Sequence, residues 1–197
     1  SYTAQFHQCE PCKKAFLEHI KFMLNRKNSV NGIPYKQDKT IMAWEVANEP
    51  RIWNVENEKA FTNWLNEVAS TIKSIDKNHL LTTGSEGKAG SNDDIAAFER
   101  THNNPNIDYL TMHIWPKNWG WYNINDEKNS TEVAIKKTND YIDEHIKVAQ
   151  NLKKPLVLEE FGFPREKESL DKKASVENRN HYYEFVFEKM KTSIKAG

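Results

Sequence analysis

Two runs of this 197-residue chain could carry chemistry: residues 44–51, Trp-Glu-Val-Ala-Asn-Glu-Pro-Arg, and residues 154–162, Lys-Pro-Leu-Val-Leu-Glu-Glu-Phe-Gly. Each is an apolar, strand-like segment that ends abruptly in carboxylates. Ionised carboxylates are costly to bury without partners, so acids capping two buried strands point to a pair of catalytic acids facing each other across a substrate. Glu49 precedes Pro50; a proline cannot continue a central strand, so the chain turns there and presents Glu49 at the rim. An ordinary cap at a strand-to-helix turn would use the same Asn-Glu pair. Glu159 and Glu160 end the second run, and because side chains alternate along a strand only one of them can point into a site. The other would face a helix layer or a neighbouring residue.

The elements that must position these acids alternate in type. A first helix carries Cys12, Phe16, Ile20 and Met23 on one face, and a strand follows over 41–47. Next comes an amphipathic helix with Phe61, Trp64, Leu65, Val68, Ile72 and Ile75 near a 3.6-residue period. A strand over 80–83 leads into Gly84-Ser85-Glu86-Gly87, and a short helix over 94–100 leads to a strand over 109–115. A helix over 132–152 follows, with Ala134, Thr138, Tyr141, Ile142, His145 and Ala149 on its inner face. A strand over 156–159 and a helix over 176–195 complete the series. Strands separated by crossovers long enough for a helix pair in parallel and make an α/β fold. Their nearly continuous apolar runs predict cover on both faces.

Asn48, Glu49, Glu86, His113, Trp115 and Glu160 all fall at C-terminal strand ends, where a (β/α)8 TIM barrel assembles its active site. Four strands are legible against the eight of a full barrel, so the chain reads as a partial barrel, and residues 1–197 as one piece of a single domain. No glycine-rich G-x-G-x-x-G follows a strand, which weighs against nucleotide binding. Lys plus Arg and Asp plus Glu balance at 28 each, giving no basic stripe for a nucleic-acid partner. No apolar run is long enough to span a membrane. The six tryptophans exceed what such a core needs, and Trp119 and Trp121 read either as sugar platforms or as loop packing. Cys9 and Cys12 are the only cysteines; a lone C-x-x-C permits redox chemistry or half a zinc site, but structural or incidental cysteines fit better. His7, His102 and His181 lack ligand-like spacing and suit surface or packing roles, while His145 suits a satisfied core position. Residues 129–131, Asn-Ser-Thr, match a glycosylation sequon and hint at a surface loop.

Four ordered motifs carry a resemblance: the run at 44–51, Thr-Gly-Ser-Glu-Gly at 83–87, His-Ile-Trp-Pro-Lys-Asn-Trp-Gly-Trp at 113–121, and Leu-Glu-Glu-Phe-Gly at 158–162. The chain resembles the family 5 glycoside hydrolases, and among them most closely the endo-β-1,4-mannanases. Order and spacing agree with the fourth to seventh strands of that barrel, over nearly the whole chain. The resemblance implies Glu49 as general acid/base and Glu160, before an aromatic-Gly pair, as nucleophile. It also implies Asn48 at the sugar 2-hydroxyl, His113 beside the catalytic pair, and Arg51 and Glu86 toward the leaving-group side. Many members carry tyrosine two residues after the sixth-strand histidine, hydrogen-bonded to the nucleophile. Here that position is Trp115, counted with Trp119 and Trp121 among the substrate contacts.

A retaining double displacement is then expected, with the carboxyls about 5–5.5 Å apart. Proximity to an ionised Glu160 would keep Glu49 protonated. The substrate would be a mannan-type or related β-1,4-glycan, with a β-1,4-glucanase or a non-catalytic carbohydrate-binding barrel as alternatives. No cofactor or metal is expected, and the implied location is secreted or cell-envelope. The four-strand chain by itself is expected to show little activity and exposed strand edges.

Overall fold

A computed structural model describes residues 3–196. By internal contacts the chain divides into two compact units, Ser1–Met112 with Val148–Val157, and His113–Lys147 with Leu158–Gly197. Among the described residues the α-helices are α1 (Glu10–Asn25), α2 (Glu58–Ile75), α3 (Ile95–His102), α4 (Glu127–Leu152) and α5 (Glu177–Ala196). The four strands are β1 (Ala43–Glu45), β2 (Leu80–Thr82), β3 (Leu110–Ile114) and β4 (Leu156–Phe161). The alternation of strand and helix is the one the periodicity predicts.

The first unit packs around α2. Phe61, Trp64, Leu65, Val68, Ala69 and Ile72 are buried in one stripe, joined by Leu24, Val46, Ile52 and Leu81. Such a stripe packs the helix against β2 and α1 together. Pro11 lies in the first turn of α1, where a missing N–H costs no hydrogen bond. Cys9 and Cys12 are joined by a disulfide within that turn. The pair is therefore a local clasp and offers no thiolates to a metal.

β1 and β2 are parallel, with Ala43 beside Leu80, Trp44 beside Leu81 and Glu45 beside Thr82. β3 pairs with β4, and the bonds Leu110 N to Pro155 O and Gly162 N to Ile114 O show the two running the same way. The four strands form two pairs rather than one continuous sheet. Between β2 and the lead into β3 one backbone bond, Asp108 N to Leu81 O, is joined by side-chain bonds: the Asp108 carboxylate accepts from Leu81 N at 2.7 Å and Thr82 Oγ1 donates to Tyr109 O at 2.9 Å. Cover on both faces holds for β3, which is buried throughout. β1 and β4 are largely half-buried, contrary to the apolar-run expectation. Each has a strand partner on one side only among the described residues.

The second unit packs Tyr122, Ala134, Phe163, Tyr182 and Val186 together. All six predicted inner-face residues of α4 are buried. His145 is a satisfied core residue, its Nδ1 donating to Tyr141 O at 2.7 Å and its ring stacked on Tyr141. α4 starts at Glu127 rather than 132, which corrects the sequon reading. Residues 129–131 lie in its first turns, where Thr131 is buried and its hydroxyl donates to Glu127 O. Asp126 explains the early start: its carbonyl accepts from Ser130 N and its carboxylate from the Asn129 amide. His102 is fully buried between Thr83 Oγ1 and Phe98 O, and His7 is packed on Phe61 and Trp64. His181 is exposed beside Glu132. None of the described helices is long and apolar enough to cross a membrane.

Candidate active site

In the first unit Glu49 is placed by backbone rather than by strand geometry. Beyond the β1–β2 ladder the pairing continues irregularly: Val46 N donates to Thr82 O, Ala47 N to Thr83 O and Glu49 N to Gly84 O at 2.9 Å. Gly84 makes this approach possible. Its φ is +71°, and a Cβ there would lie 2.1 Å from Ala47 O, so no other residue fits without moving the chain. Glu49 itself has φ +50°, a left-handed conformation that costs energy for a non-glycine residue and persists only where surroundings enforce it. One further bond holds the turn, Ile52 N donating to Gly90 O at 2.9 Å, and Pro50 beside it is buried.

Charge completes this half of the site. Arg51 Nη2 lies 2.8 Å and 2.7 Å from the two oxygens of the buried Glu86 carboxylate, and 3.9 Å from Glu49 Oε2. The guanidinium is thus anchored by Glu86 and only approaches Glu49, beyond hydrogen-bond reach. Asn48 is exposed at the tip of β1. Glu49, Arg51 and Glu86 therefore lie together, with Asn48 next to Glu49 in the chain.

One residue beside them escaped the sequence reading. Trp53 is 45% exposed, has φ +71°, and lies under the Arg51 guanidinium at 6.0 Å. A cavity of about 410 Å³ opens there, with Phe6, Trp53 and Trp64 among the walls and Glu49 and Arg51 at its edge. The available signal was an aromatic four residues after the acid in Glu-Pro-Arg-Ile-Trp.

In the second unit Glu160 stands near the end of β4. Its Oε2 accepts from Trp115 Nε1 at 3.2 Å and lies 3.6 Å from His113 Nδ1. Trp115, expected as a substrate contact, lies against the carboxylate itself. An indole N–H can only donate, so the carboxylate oxygen is the acceptor in this contact. Glu159 turns to a neighbouring residue, as one alternative held. Its Oε2 is 3.7 Å from His113 Nε2, so the buried imidazole has one carboxylate near each nitrogen. Trp119 and Trp121 meet edge to face at 4.9 Å and both pack on Tyr141 of α4, each leaving part of its ring exposed. The Lys137 ammonium sits over the Trp121 ring at 5.6 Å.

Residues 1–197 match the family described as GH family 5 β-mannosidase-like. Mannan endo-1,4-β-mannosidase 5 of Arabidopsis thaliana is 34% identical over 194 residues, 91% of this chain and 43% of that protein. Mannan endo-1,4-β-mannosidase 1 of the same plant is 33% identical, over 98% of this chain and 48% of its own length. The chain thus spans less than half the length of these curated relatives. Among solved structures, the family 5 mannosidase of Rhizomucor miehei superposes with a TM-score of 0.81 at 32% identity, covering 94% of this chain and 45% of that one. A glutamate-to-alanine mutant of that enzyme was solved with mannosyl-fructose. The hyperthermostable endo-1,4-β-D-mannanase of Thermotoga petrophila superposes at 0.76 with 26% identity, covering 96% of this chain and 53% of that one. Four strands of the parallel α/β barrel, about half of it, are what the chain supplies.

Proposed function

Because the chain belongs to the β-mannosidase-like glycoside hydrolases of family 5, we propose that it supplies the catalytic glutamates of an enzyme cleaving internal β-1,4-mannosidic linkages in mannan-type polysaccharides, with retention of configuration. The observation that carries this reading is the likeness to mannan endo-1,4-β-mannosidases across the residues holding Glu49 and Glu160. Glu160, ionised and hydrogen-bonded by Trp115, attacks the anomeric carbon and forms a glycosyl ester. Glu49 in its protonated form passes a proton to the departing glycosidic oxygen. Water then enters, Glu49 takes its proton, and the ester is released with two inversions giving net retention. Asn48 binds the 2-hydroxyl, where a hydrogen bond strengthens as the oxocarbenium ion develops. Arg51 and Glu86 form a rigid charged wall beside Glu49, and the exposed faces of Trp119 and Trp121 stack on pyranose rings.

A secreted or cell-envelope location belongs to the same proposal, and the Cys9–Cys12 disulfide agrees with an oxidising compartment. The polysaccharide is the only partner required. A second reading, an exo-acting β-mannosidase, is favoured by the description of the matching family and by the Rhizomucor miehei mannosidase.

The test is reducing-end release from mannan by the full-length protein, with cellulose derivatives as the contrast substrate. Mixed manno-oligosaccharides with the β-anomer formed first support the endo-acting retaining reading. Mannose alone supports the exo reading, and release of the α-anomer first sinks both.

A further inference from the structure

We infer that Trp115 and Gly162 form a coupled clamp that sets the orientation of the Glu160 carboxylate, making Trp115 a positioning residue rather than a substrate platform. The inference rests on the reading of Glu160 as nucleophile.

Three observations within the second unit carry it. The Trp115 indole donates to Glu160 Oε2 at 3.2 Å. The outer ring of that indole occupies the space a side chain at Gly162 would need, since a Cβ there would lie 2.4 Å from Cζ3 and 3.1 Å from both Cε3 and Cη2. Gly162 is also tied to the strand that carries the histidine, its N–H donating to Ile114 O. The glycine needs no unusual backbone conformation, so its requirement comes from the indole alone.

The chemistry differs from that of a hydroxyl at this place. A phenol can rotate, donating to a carboxylate or accepting from a carboxylic acid; the indole can only donate. Trp115 therefore holds one oxygen of Glu160 in a fixed direction and has no acceptor to offer a carboxyl proton. The clamp fails if the indole loses its N–H or if a methyl group at position 162 pushes the ring away.

The experiment is a double-mutant cycle in the full-length protein acting on mannan. Trp115→Phe removes both the donor and the outer ring. It should lower kcat about 10- to 100-fold, the scale of one hydrogen bond to a charged group, with little change in KM. Gly162→Ala should lower kcat comparably. Adding it to Trp115→Phe should cost almost nothing more, since the obstructing ring is gone. A raised KM at unchanged kcat, or effects that multiply, overturns the inference. Crystal structures of the two single variants test the same contact without activity: the Glu160 carboxylate should turn out of its parent position in both, and an unmoved carboxylate overturns the clamp. If Glu160→Ala keeps normal turnover, the nucleophile reading is what fails, and those structures still decide whether the clamp exists.

Discussion

Glu49 is approached by a guanidinium and sits on left-handed backbone, whereas Glu160 stands on a regular strand and meets an indole and an imidazole. Both are glutamates at strand tips, but one is placed by a turn and a charge and the other by strand geometry and a neutral donor. In the proposed reaction the two have separate tasks. The proton-transferring carboxyl lies beyond hydrogen-bond distance of its cation, and the attacking carboxylate has a donor fixed on one oxygen.

The largest effect that could break this comparison is catalytic. Glu160→Ala should lower mannan hydrolysis by the full-length protein about 10⁴-fold or more, whatever the leaving group. Glu49→Ala should lose about 10²- to 10⁴-fold on mannan, the contribution of a general acid. It should nevertheless keep a fast first turnover on an aryl mannoside whose phenol needs no proton. Equal sensitivity of both variants to the leaving group would erase the division of roles.

The next effect concerns backbone. Gly84→Ala combines positive φ with a 2.1 Å approach to Ala47 O and should destabilise the first unit by about 3 kcal/mol. Gly120→Ala in the second unit has φ +68° but open space around it, and should cost about 1 kcal/mol. Denaturant midpoints with amide exchange resolved by unit would show whether this ordering holds.

A smaller loss is expected from Arg51→Met, which leaves Glu86 buried without its guanidinium. About 2 kcal/mol is expected, recovered in large part when Glu86→Met is added. Trp115→Phe should leave stability nearly unchanged, because the group it serves is uncharged-donor bonded and part-exposed. If Arg51→Met proves silent in unfolding, the charged anchor beside Glu49 is not structural.

The smallest effects are pH-dependent and distinguish the units by which groups titrate. Burial, helped by the charge of Lys13, pulls His7 down from 6.5 to about 4. The unfolded chain binds that proton more readily, so the first unit should lose stability as pH falls from about 6.5 toward 4. His79 is pulled down by burial, but its bonds to Asp76 and to the Asp38 carbonyl outweigh this and raise it. Its contribution is complete below 6.5 and fades as pH rises through the raised folded value. In the second unit burial pushes the phenols of Tyr122 and Tyr182 up, with Glu127 adding to the shift at Tyr122. Both stay neutral in the fold, so that unit should weaken above about pH 10, where unfolded phenols ionise. Melting curves of His7→Phe and Tyr182→Phe against pH would test the assignment.

Much of this was legible along the chain. The α2 stripe and the six inner-face residues of α4 followed directly from a 3.6-residue period, because that period is set by helix geometry and needs no partner to be visible. The turn at Glu49 was readable from Pro50, and the different directions taken by Glu159 and Glu160 from alternation. Trp53 was not readable, since its place beside Arg51 depends on a left-handed φ that nothing in its own identity demands. The early start of α4 was missed because Asp126 and Ser130 are turn formers by composition and became a cap only when bonded to each other. Cover on β1 and β4 was overestimated because an apolar run reports what a strand can bury, not how many neighbours it has.

The sequence by itself determined the order of the elements, the two acids at strand tips and the family they belong to. These depend on residue type and on spacing over a few positions, where chain geometry alone sets the relation. Only the tertiary structure decided what holds each acid: Gly84 against Ala47, Arg51 on Glu86, and Trp115 on Glu160 with Gly162 making room for its ring. Those partners lie tens of residues apart in the chain, and whether two groups separated in that way meet is set by packing, which no local pattern records.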